Sequence, residues 1–370
     1  MFGDITMKES LDTLERYQLN LFGRNKPMFY EDLVNNRDLL SQLLKNSRVL
    51  IIGGAGTIGS STCLELIKFN PKDVHVVDIS ENNLVELVRD IRSQKNEFRG
   101  ELKTLAIDYG SEEFEAFLNS EKAYDFVLNL SALKHVRGER DPFTLMRMIN
   151  VNIINVINLI SILKTNTIKN FFTVSTDKAA NPANLMGASK KIMEMSLLNE
   201  SKNLHVTLAR FANVGFSDGS LLYGFENRFN KMQPIAAPND VKRFFITKSE
   251  SGRFCLLSAI LGHNRNIFFP KESNNLNLLN FSDIAKEVIK AKGYVPLECD
   301  TEEEARSKME MVGEKKIWPC YFFRSDTTGE KPFEEFFTNE EKIITDKYDE
   351  IGVIEGQIKE FGLIENFTNT

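Results

Sequence analysis

Arg48-Val49-Leu50-Ile51-Ile52-Gly53-Gly54-Ala55-Gly56-Thr57-Ile58-Gly59 is the stretch that decides the fold. A short apolar run reads as a buried strand, a G-x-x-G-x-x-G loop follows it directly, and a helical segment opens at the last glycine. Glycine serves such a loop in three ways: a tight turn, close approach of backbone to a pyrophosphate, and packing of helix on strand. The pyrophosphate then lies at the positive end of the helix. Nineteen residues beyond Gly59, Asp78 ends a second apolar run, where an acid can bind an adenosine ribose. Its charge repels a 2′-phosphate, and no arginine follows within Ile79-Ser80-Glu81, so the pattern favours NAD over NADP. Gly53, Gly56, Thr57, Ile58, Gly59 and Asp78 are the expected cofactor contacts. Asp108-Tyr109, closing the third strand, is placed at the adenine edge.

Outward from this loop, strands and helices alternate. Strands are read at 48–52, 74–78, 102–107, 124–130, 170–175 and 204–210, and helices at 59–69, 82–93, 112–119, 142–163 and 184–199. That rhythm predicts an α/β chain with a Rossmann-type, doubly wound parallel sheet. The strands are apolar throughout, as expected when helices cover both faces. The cofactor domain is expected over 47–214. A smaller α/β substrate-binding lobe takes most of 215–370, with some segments returning to the first domain. Residues 1–46 read as a helical extension, two short helices around a Gly23–Pro27 break, padding the outside of the domain or forming an oligomer contact.

Lys and Arg total 46 against 52 Asp and Glu, a net charge of −6. This balance argues against a nucleic-acid polymer as partner, but a few local cations suffice for an anionic small molecule. The four cysteines (63, 255, 299, 320) are scattered and read as reduced core thiols, and the four histidines do not cluster, so no metal site is expected. No apolar stretch is read as long enough to span a bilayer, and Met1-Phe2-Gly3-Asp4 does not read as a signal peptide, so a cytoplasmic location is expected.

Two motifs carry chemistry. Ser175-Thr176-Asp177-Lys178 ends the fifth strand, where open α/β sheets place their reacting groups, and an adjacent acid and lysine supply both a proton donor and a base. Met186-Gly187-Ala188-Ser189-Lys190 opens the following helix. In the short-chain dehydrogenase/reductase superfamily a Tyr-x-x-x-Lys pair on this helix polarises a hydroxyl and holds the nicotinamide ribose. Lys190 fits the lysine, but Met186 stands in the tyrosine's place and cannot exchange a proton.

Together, Ser131-Ala132-Leu133-Lys134-His135-Val136, Thr176-Asp177-Lys178-Ala179, Asn181-Pro182-Ala183-Asn184-Leu185-Met186-Gly187-Ala188-Ser189-Lys190 and Arg210-Phe211-Ala212-Asn213-Val214 resemble the nucleotide-sugar 4,6-dehydratases of the extended short-chain dehydrogenase/reductases. These are the UDP-N-acetylglucosamine 4,6-dehydratases of bacterial polysaccharide and glycan biosynthesis. The resemblance runs from about residue 47 to 336, and methionine in place of tyrosine marks one branch of that family. Departures are Ile52 for a threonine, Ala212 for a glycine, and Leu130-Ser131 for an alanine or histidine pair.

The resemblance implies a lyase that uses NAD to oxidise C4 of the sugar, eliminates water across C5 and C6, and returns the hydride to C6. It assigns Lys178 as the C5 base, Asp177 as the acid for the leaving hydroxyl, Thr176 to the C4 oxygen and Lys190 to the nicotinamide ribose, with Ala132 beside the cofactor. Which group deprotonates the C4 hydroxyl stays open among Lys178, Asp177 and a water relay. On the substrate side it implies Lys134 at the sugar, Asn213 at the sugar nucleotide, Arg243 at the diphosphate and Glu330, in a late Thr328-Gly329-Glu330-Lys331 turn, near the base or ribose. It further implies a homo-oligomer paired through helices. A nucleotide-sugar epimerase on the same scaffold and a catalytically silent NAD-binding protein are the alternatives.

Overall fold

The computed structural model describes residues 13–94, 98–164, 168–272, 276–327, 329 and 331–358. The described chain forms fifteen strands: β1 Arg48–Ile52, β2 Asp73–Asp78, β3 Glu101–Ala106, β4 Phe126–Asn129, β5 Asn170–Thr176, β6 Val206–Phe211, β7 Asn213–Val214, β8 Ile235–Pro238, β9 Lys242–Ile246, β10 Asn266–Pro270, β11 Leu278–Asn280, β12 Val295–Cys299, β13 Ile317–Phe323, β14 Ile343–Ile344 and β15 Ile351–Glu355. Its described residues divide into two compact units, one built within 29–211, 251–271 and 334–358, the other within 13–28, 212–250 and 272–333.

The larger unit holds a nine-stranded sheet in the order β14-β15-β10-β6-β5-β4-β1-β2-β3. From β3 to β10 neighbouring strands run parallel, while β15 and β14 are antiparallel. The order reverses between β1 and β4, the switch point where this architecture binds ligands outside the carboxyl ends of its strands. Helices Thr57–Leu66, Glu81–Arg92, Glu112–Ser120, Pro142–Ile149, Asn155–Leu163 and Leu185–Glu200 connect the strands. β1, β4 and β5 are buried almost throughout. β3 departs from the expected continuous apolar run: it is the sheet edge, and its residues are exposed or half-buried.

The expected helix 142–163 is interrupted. Asn150–Ile154 forms a π turn between two α segments, and buried Asn152 within it brackets Leu133, accepting from its N–H (3.0 Å) and donating to its carbonyl (3.0 Å). The expectation that no segment is long and apolar enough to span a bilayer is corrected here, because Pro142–Leu163 meets that length and composition. In this fold Val156, Leu159, Ile160 and Leu163 are buried, while Phe143 and Met146 are exposed.

The smaller unit contains two three-stranded sheets, β11-β9-β7 and β12-β13-β8. Trp318 is its largest buried side chain; its ring stacks on Phe229 at 3.9 Å and its Nε1 donates to the Gln233 carbonyl. The expected amino-terminal extension is also corrected. Helix Thr13–Leu21 is part of this core: Leu21 and Phe22 are buried with Phe225, Ile235 and Trp318, and Phe22 stacks on Phe245 at 5.4 Å. Arg24, almost fully buried, donates to both carboxylate oxygens of Glu250 (2.7 and 2.8 Å). Residues from 29 onward belong to the larger unit, where Phe29 stacks on Phe254 and Asp32 accepts the N–H groups of Asp349 and Glu350. The physical reason is apolar content, since Leu21, Phe22 and Phe29 bury completely or nearly so, which a solvated extension would not allow. All four cysteines are free and buried.

Candidate active site

The glycine loop leaves β1 with Gly53 at φ 72° and enters helix Thr57–Leu66 through Gly56, which offers no capping side chain. A side chain on Gly53 would meet the Ser131 backbone at 2.6 Å, and one on Gly59 would meet the Gly53 carbonyl at 2.2 Å. The loop is therefore a cradle open only to backbone, and the helix's first-turn amides need an acceptor from outside the helix. Asp78 closes it: Oδ2 accepts the Ala55 N–H (3.0 Å) and Oδ1 the Ser80 N–H (2.9 Å). Each oxygen keeps a lone pair, so the carboxylate can still accept from a ribose hydroxyl. These residues fit a dinucleotide. Asp108 is partly exposed and its Oδ1 accepts the Gly110 N–H (2.9 Å), whereas Tyr109 is buried and its hydroxyl donates to the Val151 carbonyl.

At the end of β5, Thr176, Asp177 and Lys178 converge on one atom. Asp177 Oδ1 accepts from the Thr176 hydroxyl (2.8 Å), the Lys178 Nζ (3.0 Å) and the Lys178 N–H (2.8 Å). Asp177 is buried and Lys178 is largely so. Helix Leu185–Glu200 is capped by Asn184, whose Oδ1 accepts the Gly187 N–H at 2.9 Å. Met186 and Lys190, one turn apart on it, are both buried. Lys190 Nζ donates to the Val174 carbonyl at 3.1 Å; burial pushes its pKa down to about 8, with Glu194 opposing.

Below these groups lies a polar network that sequence reading did not assign. Ser175 donates to Glu194 (2.6 Å), Arg210 donates twice to Glu194 (2.9 and 2.8 Å), and Arg210 donates twice to Glu341 (2.8 and 2.7 Å). Glu194 lies one turn beyond Lys190, the spacing by which it was discoverable; nothing local marks Glu341. Asn152 also went unread, although an asparagine within an apolar helix is a signal in itself. Its Nδ2 donates to Ser189 at 3.1 Å, and Ser189 donates to the Met186 carbonyl at 2.7 Å, joining the β4 mouth to the Met186 helix.

Of the expected substrate residues, Lys134 is exposed and Ala132 half-buried after β4. Asn213 is half-buried and paired with Phe245 in the β7–β9 ladder. Arg243 is not an open cation: it is buried, and Nη1 donates to the carbonyls of Lys242 (2.8 Å) and Lys331 (2.9 Å), because a buried guanidinium needs acceptors. Glu330 and Thr328 lie outside the described residues. No cluster of metal-ligating side chains occurs among the described residues.

Comparison with known proteins agrees with this architecture. The chain is similar to an uncharacterized membrane protein, MJ1061, of Methanocaldococcus jannaschii, at 29% identity over 313 residues, 82% of this chain and 84% of that protein. It is 28% identical to the capsular polysaccharide biosynthesis protein CapD of Staphylococcus aureus over 69% of this chain, but spans only 42% of CapD. A UDP-N-acetylglucosamine 4,6-dehydratase (inverting) of Campylobacter jejuni is 27% identical over 62% of this chain and 68% of its own length. A UDP-glucose 4-epimerase of Rickettsia bellii is 29% identical over 60% and 65%. Among solved structures, Pen from Bacillus thuringiensis shares the fold, with a TM-score of 0.69 at 23% identity over 85% of this chain and 89% of Pen. Residues 49–356 match the family described as polysaccharide biosynthesis protein, and the chain belongs to that family.

Proposed function

We propose that this protein binds NAD and dehydrates a nucleotide-activated N-acetylhexosamine, UDP-N-acetylglucosamine or a near relative, to its 4-keto-6-deoxy product. One observation carries the proposal: a hydroxyl, a carboxyl and an amine meet at Asp177 Oδ1 at the sheet's carboxyl edge, with methionine where a proton-exchanging tyrosine would stand. Gly53, Gly56, Thr57, Ile58, Gly59 and Asp78 hold the dinucleotide, and Lys190 holds its nicotinamide ribose. Bound NAD supplies a reversible hydride acceptor.

Thr176 binds the C4 oxygen and passes the C4 hydroxyl proton along its hydrogen bond to the Asp177 carboxylate. Lys178, as the neutral amine, takes the C5 proton once C4 is a ketone. Asp177 gives its proton to the departing C6 hydroxyl, and water leaves. Lys178 then returns a proton to C5, so both groups end as they began. Lys134, Asn213, Arg243 and Glu330 are the proposed substrate contacts, and Arg243 must exchange its Lys331 anchor for phosphate oxygens to serve.

The epimerase reading draws support from the Rickettsia relative. Met186 weighs against it, because an epimerase of this superfamily uses the tyrosine. Incubation with UDP-N-acetylglucosamine followed by mass spectrometry separates the two: loss of one water supports dehydration, and unchanged mass with an inverted hydroxyl supports epimerisation. Lys178→Ala should abolish water loss while NAD binding persists; surviving dehydration would refute the base assignment.

A further inference from the structure

Phe22 packs on the face of β7 and β9 that carries two of the proposed substrate contacts. In the β7–β9 ladder Phe245 pairs with Asn213, and Arg243 lies two positions before Phe245 on its own strand, so strand alternation sets all three on one face. The Phe22 ring stacks on Phe245 at 5.4 Å, with 20° between the ring planes. The same ring fills the space beside Gly215, two positions after Asn213, where a Cβ would lie 2.4 Å from the Phe22 Cζ. Gly215 has no positive φ, so the ring, and not the backbone conformation, excludes a side chain there.

A second tie holds the end of β9. Arg24 Nη2 donates to the Phe245 carbonyl (3.3 Å), and its guanidinium forks onto Glu250. Glu250 in turn closes a capping box with Thr247, the residue after β9: the Thr247 hydroxyl accepts the Glu250 N–H (3.1 Å) and Glu250 Oε2 accepts the Thr247 N–H (2.7 Å). Glu250 Oε1 also accepts the Met28 N–H (2.7 Å), so each carboxylate oxygen takes one bond from Arg24 and one from backbone. The Arg24 and Glu250 side chains are 2% and 0% exposed, and the whole tie is made out of water.

We propose that Phe22 and Arg24 are positioning residues for the sugar nucleotide: the amino-terminal segment fixes the β7–β9 pair from which Asn213 and Arg243 reach the substrate. This rests on Asn213 and Arg243 being substrate contacts of the proposed function. Neither Phe22 nor Arg24 lies in a motif, and both precede the family match that begins at residue 49. A guanidinium that forks onto phosphate oxygens needs its strand held in place, because two parallel hydrogen bonds tolerate little misalignment. The diphosphate does not react, so misaiming its contacts weakens substrate binding and spares the chemical step.

The test uses the full-length, NAD-loaded protein at a temperature where each variant is folded by circular dichroism. Calorimetric titration with UDP, which needs no turnover, accompanies kcat and KM for UDP-N-acetylglucosamine. Phe22→Leu, and Arg24→Lys, which keeps the charge and loses the fork, should each weaken UDP about tenfold and raise KM by a similar factor, with kcat within about twofold of wild type. Gly215→Ala pushes the same ring from β7 and should do likewise. Combined with Phe22→Leu, which makes room for the new methyl, it should bind UDP no worse than Gly215→Ala alone. Variants that lower the thermal midpoint but bind UDP as wild type does overturn the proposal, as do losses that multiply in the double variant. If Gly215→Ala does not fold, Phe22→Leu and Arg24→Lys decide. A wild type that binds UDP but dehydrates no nucleotide sugar overturns the proposed function, and the UDP affinities still decide the role of Phe22 and Arg24. A wild type that binds no UDP overturns that role together with the substrate contacts beneath it.

Discussion

Replacing Lys190 by methionine should make the nucleotide-free protein more stable at neutral pH and remove a pH dependence. The ammonium is 4% exposed, donates to one carbonyl at 3.1 Å and touches the Met193 sulfur at 3.7 Å. Burial lowers its pKa from the ordinary 10.5 to about 8. Between those values the unfolded chain binds more protons than the folded one, so stability rises with pH there. Below pH 8 both states carry the proton and the whole penalty is present, about 3 kcal/mol at 1.36 kcal/mol per pH unit. Above 10.5 it is gone. Glu194 keeps Arg210 and Ser175 in the variant, so no buried carboxylate is stranded. Lys190→Met should therefore exceed wild type by up to about 3 kcal/mol at pH 7, with the gap closing as pH rises through 8 towards 10. Urea unfolding of both proteins from pH 7 to 10, followed by circular dichroism, measures this difference and cancels the tyrosines and cysteines common to both. A gap that stays constant with pH, or a variant less stable at pH 7, would refute the reasoning.

Arg210→Met strands Glu194 and Glu341 beneath the site and should cost about 3–5 kcal/mol; calorimetry should find a lower Tm, partly recovered by adding Glu194→Gln. Asp78→Ala removes an acceptor for the Ala55 N–H and the proposed ribose, and should weaken NAD binding about ten- to a hundredfold by isothermal titration; unchanged affinity would exclude its ribose role. Phe22→Ala should destabilise the smaller unit by about 3–5 kcal/mol, read as a lower thermal midpoint. A loss under about 1 kcal/mol would return the amino-terminal helix to the status of an appendage.

The parallel sheet, its glycine loop and the Thr176-Asp177-Lys178 turn were legible in the sequence because all three rest on local signals. Strand β1 is an apolar run, Gly53 and Gly59 are demanded by backbone contacts that admit no side chain, and Asp78 lies at a spacing set by one helix and one strand. Thr176-Asp177-Lys178 is contiguous, so a strand end suffices to gather it. The break in helix 142–163 was not legible, because the π turn depends on Asn152 finding the backbone of Leu133.

What tertiary structure alone decided are pairings between distant residues, since periodicity reports which face of an element is apolar and not which surface will cover it. Phe22 reads the same whether it pads a surface or stacks on Phe245 in a core. Arg243 reads as an open cation until the fold places the Lys331 carbonyl beside it. Nothing local marks Glu334 or Glu341, yet the fold sets one 4.0 Å from the Lys178 amine and locks the other onto Arg210. The sequence by itself determined the sheet, its glycine loop and the contiguous Thr176-Asp177-Lys178 turn; the tertiary structure decided which buried charges surround that turn, because only folding brings those carboxylates out of water and within reach of it.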